Sequence, residues 1–255
     1  MNKTNLTRLI QNKQIKMQPL PAQYIGVWQR ELLETQTIKD TTSLVLWMQS
    51  QHYHIDLRIP RAVQTGLRKV ESLQDYNDGE LLLLASQQGF AGITNVTLAN
   101  NQSSDICQWL REIDFQPKTS ARDIGKMVFT DENTVVETGI DTAYLEVWRR
   151  LTSSQEAYLS TFAIGQDRNG LTSEAYLICS GKYVAFARPR VTQLPISASL
   201  ISALDLYKPT RERLLDWLDM EISFGEMLDD KHWRITYSSL PFKVGLVTDI
   251  NKIIS

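Results

Sequence analysis

The chain predicts a mainly β protein built as two antiparallel β-barrels in tandem, arising from an internal duplication, each with one or two short helices. Three observations carry this reading. Apolar and polar residues alternate over many short runs, which is the period of half-buried strands. Clusters of Asn, Asp and Gly punctuate these runs at intervals, as antiparallel connections require. Finally, Tyr24-Ile25-Gly26-Val27-Trp28-Gln29-Arg30-Glu31-Leu32 is echoed by Tyr144-Leu145-Glu146-Val147-Trp148-Arg149-Arg150-Leu151.

Taken in order, residues 1–21 form a basic leader with Lys3, Arg8, Lys13 and Lys16 and no acid, ending at Pro19-Leu20-Pro21. Strands are expected over Tyr24–Thr35, Thr42–Gln49 and Tyr53–Ile59, the last stopped by Pro60, because proline cannot donate to a sheet ladder. Arg61–Tyr76 is a mixed connection without a strong period. Asp78 can cap a short helix over Gly79–Gln87, with Gly89 as its stop. Strands resume at Phe90–Ala99, Ile106–Gln116, Ile124–Thr130 and Thr134–Glu137, and the first barrel spans 22–139.

The second, shortened barrel spans 140–255 and opens with the strand at Tyr144. Glu156–Ile164 and Thr172–Cys179 flank the hairpin turn Asp167-Arg168-Asn169-Gly170. Tyr183–Arg188 follows, stopped by Pro189. Helices are expected over Ala198–Leu206 and, capped by Thr210, over Arg211–Trp217, then strands over Met220–Met227 and Trp233–Ser239 and a last strand or tail from Val244. Trp109-Leu110-Arg111-Glu112-Ile113-Asp114-Phe115 matches Trp217-Leu218-Asp219-Met220-Glu221-Ile222-Ser223-Phe224 at a shorter separation than the Tyr-Trp pair shows. Loop deletions in the second unit explain that difference, because connections tolerate length changes better than strands.

Composition narrows the function classes. A hydrophobic content of 42% with 22% charged residues suits a globular chain. A formal net charge of −2 provides no general attraction to nucleic acid or anionic membranes, so neither is an expected partner. No apolar run is long enough to span a bilayer, the N-terminus lacks a signal-peptide core, and the two cysteines cannot form a disulfide framework. A cytoplasmic location follows as the expectation, and the four Asn-x-Ser/Thr sites at Asn2, Asn5, Asn95 and Asn101 carry no weight without secretion.

Gly26-Val27-Trp28 stands where lipocalins and related calycin barrels carry a Gly-x-Trp signature, and Glu146-Val147-Trp148 repeats it without the glycine. With Ile55-Asp56-Leu57-Arg58-Ile59-Pro60, Gln87-Gln88-Gly89-Phe90-Ala91-Gly92, Glu112-Ile113-Asp114-Phe115-Gln116-Pro117, Glu137-Thr138-Gly139 and Ile222-Ser223-Phe224-Gly225, the chain resembles a poorly characterised family of bacteria and fungi. Its yeast namesake is named for interaction with a casein-kinase-I homologue. The resemblance covers nearly all of 22–245 and implies two lipocalin-like barrels, with no established activity and no catalytic residues. It also implies structural plugs, a Trp closing one end of a barrel beneath an Arg, for which Trp28 and Arg30, and Trp148 and Arg150, are the residues.

His52, His54, Asp56 and Arg58 form the concentrated polar constellation on a strand. Facing a barrel interior, they would bind an anionic or hydrogen-bonding ligand. Facing water, they are a solvated face with Ile55, Leu57 and Ile59 in the core. Aligning Pro60 with Pro189 sets Tyr183, Ala185 and Ala187 against His54, Asp56 and Arg58, and this loss of polarity favours the solvated or structural reading. No metal or cofactor is expected: His52 and His54 lack a third ligand and no CxxC is present. Phosphate-loop and nucleophile motifs are absent. Glu112 and Asp114, with Glu221 at the repeat, read as a surface carboxylate row as readily as an acid/base pair.

These readings leave three functions. The first is non-enzymatic binding of a small apolar or amphipathic ligand in a barrel. The second is a protein-interaction module with filled barrels. The third is an enzyme using a polar pocket in the first barrel.

Overall fold

A computed structural model describes residues 18–99 and 104–254; most of the basic leader, residues 1–17, and the turn at 100–103 lie outside the described residues. The first sheet contains β1 (Gly26–Glu34), β2 (Lys39–Asp40), β3 (Leu44–Gln49), β4 (Tyr53–Ile59), β5 (Gln88–Thr97), β6 (Asp105–Asp114), β7 (Asp123–Asp131), β8 (Thr134–Gly139) and β9 (Leu145–Arg150). All pair antiparallel. A further pairing of β1 with β9 closes eight of them into a barrel, with β2 a short extension beside β1. Closure removes the exposed strand edges that an open sheet must protect.

The second sheet runs in chain order through β10 (Ala157–Gln166), β11 (Thr172–Ser180), β12 (Tyr183–Arg188), β13 (Glu221–Met227), β14 (His232–Ser238) and β15 (Val247–Asp249), curled into a half-barrel. The short helix α5 (Ile250–Ile254) packs Ile250 and Ile253 into its hollow against Ala163, Leu177, Phe186 and Trp233. The architecture is therefore mainly β, a closed barrel followed by a curled half-barrel.

The strand at Tyr144 lies elsewhere than the repeat predicts. Leu145–Arg150 does not open the second sheet; it is the last strand of the first barrel, where Trp28 lies opposite Arg150 and Arg30 opposite Trp148. The two similar segments are thus neighbours across one seam. Both present alternate residues to the same interior at the same height, which explains why both carry Trp and Arg two residues apart.

Helices fill the connections. Beyond Pro60, Arg61–Gly66 forms α1, a helix the mixed pattern hides, and α2 (Asp78–Ala85) is capped by Asn77 rather than Asp78. The Asn77 side chain accepts from the Glu80 amide while the Glu80 carboxylate accepts from the Asn77 amide, a reciprocal capping box. In the second unit α3 (Leu200–Tyr207) and α4 (Arg211–Leu218) are capped by Ser199 and Thr210.

The largest core lies between the units. Tyr53, Ile55 and Leu57 point out of the barrel and pack in one cluster with Tyr176, Ile178, Ala185, Ala187, Ile222 and Phe224 of the half-barrel. The Arg190 guanidinium ties the units at the same seam, donating to the carbonyls of Trp217, Asp114 and Phe115 at 2.7, 3.0 and 2.7 Å. Among the described residues, no helix is long and apolar enough to cross a membrane.

Candidate functional site

Because Ile55 and Leu57 face the second unit, the two-residue period turns His54, Asp56 and Arg58 into the barrel. His54 and Asp56 are buried and Arg58 is half-buried, so the solvated half of the solvated-or-structural expectation does not hold. Its physical premise fails here: the outer face of β4 meets another sheet rather than water, and both faces of the strand are buried. His52 sits in the turn before β4 with its ring beside Tyr53, so it does not share the face of His54 as the alternation suggests.

The interior is layered. At its closed end Trp28, with its indole N–H bonded to the Tyr24 carbonyl at 2.9 Å, lies under the Arg150 guanidinium, whose central carbon is 4.4 Å from the ring centroid. Arg150 also donates to the Gln23 carbonyl at 2.6 Å. The lid over Trp28 is therefore Arg150, while Arg30 turns inward to the carboxylates of Glu146 and Asp40 at 2.6 and 2.8 Å. Gly26 begins this end at φ +136°, and a Cβ there would stand 3.0 Å from the Ser154 carbonyl. The loop after β9 thus crosses the start of β1, which accounts for glycine at 26; position 146 faces no such crossing.

Next to the plug lies a small polar layer. Thr94 donates its hydroxyl proton to the Gln49 side-chain carbonyl at 2.8 Å, so it accepts from His54 Nδ1 at 2.9 Å. That fixes the neutral tautomer with Nε2 bare, and Nε2 has no hydrogen-bond partner among the described residues. Burial lowers the His54 pKa to about 3, with the Arg111 charge adding to the effect. His54 is an uncharged core residue at ordinary pH.

Above it the barrel is filled by aromatic rings. Trp47 stacks on Trp28 and meets Trp109 and Trp148 edge-on, each at 5.7 Å. The recess left among Trp47, Phe90, Trp148, Asp56, Arg58 and Glu137 has a volume of about 10 Å³, room for a single water. This recess does not admit an apolar ligand.

The open end is different. A basin of about 680 Å³ spreads over the mouth, lined by Leu33, Arg58, Trp109, Arg111, Asp123, Tyr144 and Glu146, with Lys118, Arg122 and Ala143 on its rim. Its floor is an ion-pair lattice. Arg58 grips Asp56 at 2.8 Å and reaches Glu146 at 3.4 Å. Arg111 holds Asp123 at 2.7 Å and Asp114 at 3.2 Å, and its guanidinium lies 3.7 Å from the Phe90 ring centroid.

Glu137 is buried just below this floor. It accepts from the Tyr144 hydroxyl at 2.6 Å and the Trp148 indole at 3.0 Å but makes no ion pair among the described residues. Burial, with the neighbouring Glu146 charge adding to it, raises its pKa to about 8. The carboxyl is thus largely protonated at neutral pH. Glu112 is exposed at the edge of the same basin and accepts from the Tyr176 hydroxyl, while Asp114 is paired with Arg111.

Of the residues singled out from the sequence, Arg58 lines the basin and Asp56 supports it, whereas His54 and His52 lie away from it. Glu137, Glu146, Arg111 and Asp123 escape sequence reasoning because they come from four different strands. Glu146 carried a signal, its place two residues before the inward Trp148. The half-barrel repeats one element of this chemistry: Arg188 is buried against Asp219 and lies 3.7 Å from Glu221. The Pro60–Pro189 alignment hid it, since a shift of one residue is needed to bring Arg188 opposite Arg58. Among the described residues no group of His, Cys, Asp and Glu side chains is placed to hold a metal ion.

A crystal structure of an uncharacterized protein from Saccharomyces cerevisiae is similar, at 12% identity over 84% of each chain with a TM-score of 0.49. No curated sequence matches the chain. The family model described as Protein HRI1 matches residues 27–185, a segment that takes in the barrel, its mouth and the first strands of the half-barrel, and the chain belongs to that family.

Proposed function

We propose that the protein is a non-enzymatic binding protein whose first barrel takes a small polar or amphipathic ligand at its mouth. The basin of about 680 Å³ carries this reading, because it lies within the size range of small-molecule sites and converges several charged groups with aromatic rings. The filled interior restricts the ligand to the mouth. A substitution on the exposed rim, Ala143→Trp, tests the idea without touching the core. Native mass spectrometry of the protein purified from cells should show an added mass that A143W loses; an identical spectrum for both proteins, with no added mass, would count against it.

A second reading has its own support. A barrel filled with indole rings needs no ligand for stability, and this favours a protein-interaction module, with a partner of the kind that gave the yeast namesake its name. Co-purification of a stoichiometric protein that A143W leaves unchanged would favour this reading over the basin.

A further inference from the structure

The allotment of charges around the basin points to the chemistry of what it binds. Every guanidinium at the mouth is already engaged: Arg30 with Glu146 and Asp40, Arg58 with Asp56, and Arg111 with Asp123 and Asp114. A ligand carboxylate or phosphate would have to displace one of these short pairs and leave a half-buried carboxylate without its partner, a substantial cost. On the opposite side of the ledger, those three guanidiniums serve five carboxylates, Glu146 divides itself between Arg30 at 2.6 Å and Arg58 at 3.4 Å, and Glu137 makes no ion pair among the described residues. The rim cations do not cancel this excess, since Lys118 is exposed and Arg122 is held in solvent by Asp141 at 2.7 Å. Beside the carboxylates stand Trp109 and Tyr144, rings of the kind that hold organic cations.

We infer that the basin's ligand is an organic cation, an amine or guanidinium, whose positive end sits over Asp123 and Glu146 and whose body lies against Trp109 and Tyr144. This rests on the binding reading above and names its class. The cation would supply the charge Glu137 lacks. Glu137 on β8 faces Asp123 from β7, Tyr144 just before β9, Glu146 from β9, Asp56 and Arg58 from β4, and Cys107 from β6. Cys107 is held as the neutral thiol by burial, so Glu137 is the member whose proton a nearby positive charge would expel. Binding of the cation is thereby coupled to proton release.

The test is isothermal titration calorimetry on the full chain at low ionic strength with agmatine as the cationic probe and succinate as the anionic one. Agmatine should bind, its affinity should rise as the pH is taken from about 7 to about 9, and its heat at the lower pH should depend on the ionisation enthalpy of the buffer. Glu137→Gln should remove the buffer dependence; the wild-type measurement alone stands if that variant does not fold. Succinate binding that A143W abolishes, with agmatine silent, would overturn the cationic class and leave the basin a binding site. Silence of both probes, together with no cellular mass sensitive to A143W, would overturn the basin and the class together.

Discussion

Glu137 and His54 are buried acid and base in one barrel, and burial moves them in opposite directions. Glu137 binds its proton more tightly in the folded chain, so its contribution to stability is complete below the ordinary glutamate pKa and is lost as pH rises through about 8. The melting temperature should therefore fall between about pH 6 and pH 9, and Glu137→Gln should flatten that slope. His54 holds its proton less tightly, with a pKa lowered to about 3, so its contribution is present above the ordinary histidine pKa of 6.5 and is lost as pH falls toward about 3. Acid unfolding followed by circular dichroism should shift to lower pH in His54→Gln. At the plug, Arg150→Ala removes the guanidinium over Trp28 and the bond to Gln23, and should cost about 1–2 kcal/mol in a urea titration.

At the scale of elements, β4 shows both what sequence can give and where it stops. Its boundaries, Tyr53–Ile59, follow from strict alternation and the proline after it. Which face is interior does not follow, because alternation separates two faces without saying what covers either. Each was buried, one by a sheet more than a hundred residues downstream. The opening of β1 is similar: its Trp and its glycine are legible as a barrel start, but the matching segment at Tyr144 reads equally as a second start or as the strand that meets the first. Pairing decides between them, and pairing is a non-local property. The site's acids were hidden for the same reason. Close packing within the sheet gives a direct check: Gly92 lies at a bulge where a Cβ would fall 2.0 Å from the Leu110 carbonyl, so Gly92→Val should lower soluble yield and melting temperature sharply, while Gly170→Ala, in an open turn at φ +78°, meets no neighbour and should cost only about 1 kcal/mol of backbone strain.

For the molecule as a whole, the shared core between barrel and half-barrel sets the cooperativity. Tyr53, Ile55 and Leu57 are part of one cluster with residues of β11, β12 and β13, and Arg190 hydrogen-bonds across the same junction. Neither sheet has a covered outer face without the other. Differential scanning calorimetry should therefore show one unfolding transition, and a fragment ending at residue 154 should aggregate through the apolar face of β4.

The seam between β1 and β9 also governs the order of events during synthesis. Arg30 and Glu146 are separated by 116 residues in sequence, and their pair forms only when the last strand of the barrel reaches the first. A nascent chain lacking β9 carries Trp28 without its guanidinium lid and Arg30 without its buried carboxylate. Closure is thus a late, high-contact-order step: β1 can pair with β3 early, but its other edge stays open until the ribosome has released the ninth strand.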